Sequence, residues 1–333
     1  MEKPSLDTAK AGAMRFNTDL SQMEIYDGNQ WTGILATSPH LHTGGTRGLI
    51  MGGIISGRSN VVDFITIDTT GNVTEFGDLV QTASQGVGLA SRTRAIACGG
   101  TPSSPGGTNN IDFATISSTG NFADFGDMVT VGFERMGVAS STRGVIFGRA
   151  VAPVAYNNIE FLTIASTGSA NDFGDMNETR QGTGCAGNAT RGIVAGGKAP
   201  HYNTCDYVTL STTGNAADWG DLFFQMWNTR GGNCGSAVRG LMAGGGPGSH
   251  NTIQLLNINT LGTSVDFGDR TVAKSQIAHM SSTTRACFAG AGEGDDDTID
   301  YVQIATTGDA LDFGNLQSNY GYAAGASNGH GGL

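Results

Sequence analysis

Charge is sparse in this chain. Lys, Arg, Asp and Glu make up 14% of its 333 residues, and only four of them are lysine. Eighteen basic residues face 29 acidic ones, for a net charge of −11. No basic patch can be drawn, so binding to the phosphate backbone of nucleic acid is not expected. Long apolar runs are missing as well: none approaches the ~18–20 residues that cross a bilayer. Met1-Glu2-Lys3-Pro4 lacks the apolar centre of a signal peptide, so export by that route is not expected either. Five cysteines (Cys98, Cys185, Cys205, Cys234, Cys287) are an odd number with no CxxC spacing, and read as small buried thiols made in a reducing compartment. Proline is scarce, at 7, and no stretch has the pattern of an amphipathic helix of ordinary length. What is abundant is glycine, at 53 residues. It would indicate disorder, except that 38% of the chain is hydrophobic and alternates with polar residues. That mixture points to an all-β chain with many tight turns.

The chain repeats itself. Phe-Gly-Asp occurs at Phe76, Phe125 and Phe173, becomes Trp-Gly-Asp at Trp219, returns at Phe267 and ends as Phe-Gly-Asn at Phe313. The spacings are 49, 48, 46, 48 and 46 residues. A glycine stands five residues before each aromatic, at Gly71, Gly120, Gly168, Gly214, Gly262 and Gly308. An arginine keeps the same phase at Arg47, Arg94, Arg143, Arg191, Arg239 and Arg285, each followed five residues on by a glycine. Six copies in phase over four markers are an internal repeat.

Each copy reads as four strands. Strand A is small and Gly-rich, as in Gly137-Val-Ala-Ser140. Strand B starts at the arginine. Strand C alternates with period two, as in Ile111-Asp-Phe-Ala-Thr-Ile116. Strand D carries Phe-Gly-Asp. Four antiparallel strands in 46–49 residues predict a six-bladed β-propeller. Copy one begins at strand B, whereas Tyr320–Ser327 resembles one more strand A, so the C-terminal strand is expected to complete the first blade and close the ring. The alternative is that residues 36–45 supply that strand. The expected domains are 1–35, a small N-terminal β module, and 36–333, the propeller.

Most of the repeated residues read as structure. The six arginines and the acids Asp78, Asp127, Asp175, Asp221 and Asp269 share one period, so they are expected to pair within or between blades. The glycines five residues after each arginine are expected where backbones crowd near the axis. Strand D spells Asp-Phe-Gly at Asp124, but a kinase motif would not recur in every repeat. Calcium wants six to eight oxygens in one loop, whereas these carboxylates are spread around a ring. The six histidines fall at different phases and no catalytic set assembles. Neither an enzyme nor a bound cofactor or metal is expected.

The connections are where copies differ. In an up-and-down blade the A–B and C–D turns share one end, and here they are monotonous. The B–C and D–A loops share the other end and vary. They include Thr101–Thr108, Arg149–Tyr156, Lys198–Tyr202 and 293–297, together with Phe133 and Arg135. Variation confined to one face of a repeat array marks a binding face. Its candidate ligand-binding residues are Tyr156, His201, Tyr202, Phe223, Phe224, Trp227 and His250, suited to stacking on sugar rings or burial against a protein. Because copy one starts with strand B, the N-terminal module is expected to join at the opposite end. Drift in unconstrained loops is the competing account.

Residues 1–35 lie outside the repeat. Gly12-Ala-Met-Arg-Phe-Asn-Thr-Asp19 and Glu24-Ile-Tyr-Asp-Gly-Asn-Gln-Trp31 read as short strands with Asn/Asp/Gly turns, too few to hold a core alone. These two strings resemble a segment of tail-fibre and other virion structural proteins of tailed bacteriophages. The repeats resemble kelch-type propellers in period and in the pairs Gly52-Gly53, Gly99-Gly100, Gly196-Gly197 and Gly244-Gly245, but they lack the kelch Tyr and Trp spacing. The resemblance implies a virion protein made in the host cytoplasm, a fibre tip, knob or decoration. Its N-terminal module would join other virion proteins or copies of itself, with a trimer favoured. Its propeller would bind a host-surface glycan or another virion protein. A pure scaffold and a glycan-active propeller enzyme are the alternatives.

Overall fold

The computed structural model describes residues 10–17, 22–33, 46–102, 106–198, 200–229, 232–292 and 296–333. None of these is helical. The chain divides into two compact units, Met1–Thr43 and Gly44–Leu333, so the boundary falls beyond the residue 35 expected from the repeat. The segment 36–45, weighed above as a source of a strand, lies wholly outside the described residues, as do parts of four variable connections (103–105, 199, 230–231 and 293–295).

The first unit contains an antiparallel sheet of β1 (Met14–Asn17), β2 (Gln22–Tyr26) and β3 (Trp31–Gly33). The Asp27 carboxylate makes the β2–β3 turn by accepting the Asn29 and Gln30 amides at 2.7 and 2.8 Å, which holds its pKa below the ordinary value. Alternation sorts the two faces. On one, Glu24 accepts from Arg15 and Asn17, and the Arg15 guanidinium lies 4.2 Å from the Trp31 ring centre. On the other, Met14 sits opposite Ile25 and Phe16 opposite Met23, all four exposed.

The second unit is a succession of antiparallel sheets. Repeat one supplies β4 (Arg47–Met51), β5 (Val61–Thr66) and β6 (Thr74–Asp78). Repeat two supplies β7 (Val87–Ala90), β8 (Arg94–Gly100), β9 (Thr108–Thr115) and β10 (Ala123–Gly132). Repeat three supplies β11 (Met136–Ala139), β12 (Arg143–Val151), β13 (Val154–Thr163) and β14 (Asn171–Asp175). Repeat four supplies β15 (Gly184–Gly187), β16 (Arg191–Ala195), β17 (Thr204–Thr209) and β18 (Ala217–Asp221). Repeat five supplies β19 (Arg239–Ala243), β20 (Thr252–Asn257), β21 (Gly262–Thr263) and β22 (Val265–Asp269). Repeat six supplies β23 (Ala278–Ser281), β24 (Arg285–Ala289), β25 (Thr298–Gln303) and β26 (Leu311–Asn315), and β27 (Ala324–Ser327) follows. Four sheets have four strands, one has five and one has three.

The three-stranded sheet is a departure from the expected pattern. Repeat five has no regular strand A, only a bridge between Gly235 and Gly240. Its backbone bends at Gly235, where φ is +137°. The Asn233 side chain is drawn away to the Ala139 carbonyl and the His330 ring, both at 2.9 Å. The five-stranded sheet arises because β21 pairs in parallel with β18 of the preceding repeat.

That parallel contact recurs in every repeat and explains the Phe-Gly-Asp signature. Gly120, Gly168, Gly214, Gly308 and Gly71 each donate N–H to the carbonyl of the aromatic residue in the preceding repeat, at 2.7–2.8 Å. A Cβ on Gly77 would lie 2.5 Å from the Gly120 oxygen, so the middle residue must be glycine, at φ +152°. The third residue uses its backbone. Asp78 N–H donates to the Asn121 side chain, and Asp175 N–H to Asn215. Its carboxylate is half-buried or exposed.

The expected arginine–aspartate pairing is therefore corrected: among the described residues no ion pair joins the two sets. Each repeat arginine instead donates to a carbonyl in the next repeat. Arg47 reaches Ile116, Arg94 Ile164, Arg143 Leu210, Arg191 Ile258, Arg239 Ile304 and Arg285 Ile67, at 2.8–3.1 Å. Five of the six also lie over a strand C aromatic, as Arg143 does over Phe161 at 4.4 Å. The glycines five residues on are crowded as expected, but by the loop ahead of strand A: Gly52 has φ +62° and packs against the Ala83 carbonyl.

The two ends of the repeat unit meet. β27 pairs with β4 from Ala324↔Met51 to Ser327↔Gly48. Asn328 accepts the Arg47 amide at 2.8 Å, the service that Ser91 performs for Arg94 and Ser140 for Arg143. The last residues then run inward and are buried, His330 among them. His330 Nδ1 accepts the Gly332 N–H and faces the Asn233 amide, while Nε2 faces the Ala90 carbonyl. His279 similarly accepts the Ala243 N–H on Nε2 and places Nδ1 at the Ile277 carbonyl. One acceptor nitrogen per ring requires both to be neutral.

Burial pushes both histidines down to about 4, with Arg92 near His330 and Arg270 near His279 adding to the effect. Between pH 6.5 and 4 the unfolded chain binds protons that the folded one refuses, so stability is lost as pH falls through 6.5 and the loss levels off near 4. Two such rings amount to about 3 kcal/mol each at the full shift. The buried carboxyls of Asp63 and Asp112, with raised pKa, act in the opposite sense at the acid end. The melting temperature should fall steeply on acidification through this window, and His330→Asn should remove about one proton's worth of the slope. An unchanged slope would refute the assignment.

Candidate functional site

Antiparallel A–B–C–D order puts the B–C and D–A connections at one end of every sheet. Six of the seven predicted ligand-binding residues gather there, around repeats four and five. His201 is exposed and stacks on Trp227, with ring centres 3.8 Å apart and planes within 9°. Trp227 is bridged to Gly246, whose amide donates to the Trp227 carbonyl at 2.8 Å, and the indole packs on the Gly246 backbone. Phe223 meets Phe224 edge-on at 4.8 Å, and Phe224 lies 5.2 Å from His250. Phe223, like His201, is exposed, at 43%. Tyr202 lies 5.8 Å below the Arg180 guanidinium.

Tyr156 is separate. It sits under Arg149, 3.6 Å from ring centre to guanidinium carbon, within a hairpin. The segment Arg149–Tyr156, expected as a loop, is the paired end of β12 and β13, which stay in register to Val151↔Val154. Among the described residues no ring contact links it to the other six.

Arg135 is also not a surface residue. It is buried, and its guanidinium contacts Glu160 at 3.3 Å. This exposes a column that the sequence reading missed: Asp63, Asp112, Glu160, Asp206, Gln254 and Asp300, all buried, spaced like the Phe-Gly-Asp motif. Each ties strand C to the D–A segment by a different route. Tyr320 Oη donates to Asp63 at 2.6 Å, the Val80 amide to Asp112 at 3.2 Å and Arg180 to Asp206. The Gln254 amide donates to the Phe224 carbonyl at 3.4 Å while its oxygen accepts from Ser264, just ahead of strand D, at 2.6 Å, and Arg270 donates to Asp300 at 3.0 Å. Much of the D–A variability is thus six answers to one problem, satisfying a buried acceptor. The signal was available, since this position of strand C keeps phase with the repeat in all six copies.

Among the described residues no group of three or more His, Cys, Asp and Glu side chains could hold a metal ion. The five cysteines are all buried, and burial raises their thiols, Cys185 to about 12. Comparison with known proteins finds no matching family and no curated relative.

Proposed function

We propose that residues 44–333 form a six-bladed β-propeller and that the protein is a virion appendage of a tailed bacteriophage, whose variable-loop end binds a host-surface glycan. Supporting the propeller are the cyclic contacts: the last seam, Gly71 to Phe313, repeats the other five, and β27 lies beside β4. The observation that carries the binding reading is the aromatic crest of His201, Trp227, Phe223, Phe224 and His250 at one end, opposite six near-identical turns. Aromatic faces of this kind accept the C–H face of a pyranose. The virion assignment rests on the resemblance of residues 12–31 to tail-fibre segments. The exposed apolar face of Met14, Phe16, Met23 and Ile25 supports attachment through that sheet, to copies of itself or to another virion protein.

Antibody against the repeat unit should label intact purified virions at a fixed position. Virions that carry no label, from a lysate in which the protein is made, would refute the assignment.

A further inference from the structure

One column of the repeat changes character in a single copy. The residue seven places after the repeat arginine is Ile54, Thr101, Ala150, Lys198, Gly246 and Gly292 in turn. Only repeat four carries a charge there, in a chain with four lysines. Lys198 Nζ meets Glu134 Oε1 at 2.9 Å, and the Glu134 side chain is 5% exposed. Glu134 lies just ahead of strand A of repeat three, so this pair spans two copies.

Asn228 completes the group. Its N–H donates to the Gly182 carbonyl at 2.6 Å, and the Gly182 N–H donates to the Glu134 carbonyl at 3.4 Å. The Lys198 N–H donates to the carbonyl of Gln181, next to that glycine, at 2.9 Å. Three segments thus converge on Gly182, which has no side chain to hold theirs apart. The point where its Cβ would stand is 2.6 Å from Asn228 Oδ1, 3.5 Å from Glu134 Oε2 and 3.5 Å from Lys198 Cε. An amine, a carboxylate and a carboxamide are therefore packed around one point. Asn228 Oδ1 is buried and accepts no hydrogen bond, whereas buried acceptors are nearly always satisfied.

A nucleophile, an acid–base group against it and an acyl carbon are the parts of an acyl transfer, here held together by the fold. We propose that Lys198 and Asn228 are a self-modification site, joined by an isopeptide bond that the chain forms on itself with Glu134 as the catalytic acid–base. Glu134 takes a proton from the Lys198 ammonium and presents it to Asn228 Oδ1, the acceptor without a partner, which polarises the carboxamide carbon. Nζ attacks Cγ and the N–C bond forms. A second Nζ proton passes through Glu134 to Nδ2, and the Cγ–Nδ2 bond breaks. Both protons given up by Nζ leave with the Asn228 nitrogen as ammonium, so the step consumes no oxidant or co-reactant. The bond ties the loop that carries His201 to the residue after Trp227, and so fixes their stack covalently. It stands whether or not the crest binds a glycan.

The test is mass spectrometry of the folded full chain after trypsin. Residues 192–230 should appear as one peptide, uncut after Lys198 and lighter than their sequence by one ammonia, with no backbone fragments released between 198 and 228. Lys198→Arg keeps a cation against Glu134 but cannot form the amide. Asn228→Gly removes the acyl group and suits the backbone, whose φ is +59°. Glu134→Gln removes the acid–base group, and Gln85, at the matching place with φ +63°, shows that the fold accepts glutamine there. All three variants should give the full mass of their sequences. A wild-type chain that is cut after Lys198 and has its full mass would overturn the proposal. So would an ammonia loss that persists in Lys198→Arg, which would place it at Asn228 alone. A bond formed at wild-type yield in Glu134→Gln would overturn the role of Glu134.

Discussion

A chain ending at residue 323 should aggregate, or melt far below the full-length protein. The deletion removes β27, and with it the neighbour of β4, the Asn328 acceptor for Arg47 and the buried His330 segment. Several hydrogen bonds at about 1 kcal/mol each are lost. The apolar contacts of Ala324 and Ala326 with the cluster around Leu49 and Met51 go as well. The sum is on the order of 5 kcal/mol, comparable with the whole stability of a typical domain. β4 would also be left as an uncovered edge. Differential scanning calorimetry with size-exclusion chromatography reads both effects, and a truncated chain that melts like the intact one would sink the idea that β27 completes the first sheet.

Asp300→Ala should be the most damaging substitution of a single polar residue. Arg270 and Asp300 have side chains with no solvent exposure, in contact at 3.0 Å. The second Asp300 oxygen accepts the Thr271 amide at 3.0 Å and its hydroxyl at 2.8 Å. Without the carboxylate, a guanidinium whose Nη1 and Nη2 already lack partners is stranded in the core. Breaking such a pair from one side costs about 3–5 kcal/mol. Arg270→Met should cost clearly less, because Asp300 keeps its two bonds from Thr271 and the new side chain is apolar. Urea denaturation of both variants gives the order, and equal losses would mean that the charge imbalance is not the cause.

The repeat, its strands and the junction of β27 with β4 were legible in the sequence because each depends on local rules. Period-two alternation, turn residues and glycines in phase are all short-range signals. The roles of the arginine and of Phe-Gly-Asp were not legible, because both act across the seam between neighbouring repeats. Shared period shows that two residues belong to the same unit, but not which neighbour each one faces. Arg143 was expected to find an acid and found the Leu210 carbonyl. For the candidate site, His201, Phe223 and Trp227 were visible as aromatics at the variable end, but their stacking was not. Arg135 stood in the sequence only as a residue of a variable loop, and its burial depends on a partner in another strand, Glu160, that the loop itself does not announce. The missing strand A of repeat five depends on Asn233 meeting His330, 97 residues away, which no local pattern encodes.

The meeting of β4 with β27 also sets an order of events during synthesis. Strand β4 leaves the ribosome among the first elements of the repeat unit, and its partner follows roughly 270 residues later, on the order of 15–50 s at ordinary elongation rates. Sheets two, three and six can form as their own residues emerge, since each draws its strands from one unbroken stretch of chain. The first sheet cannot. Until β27 emerges it offers an open edge of Gly48, Leu49, Ile50 and Met51 to any nascent neighbour on the same message. Crowded polysomes, more than heat, are therefore the condition under which this protein is most exposed to misassembly, and slower initiation should raise its soluble yield.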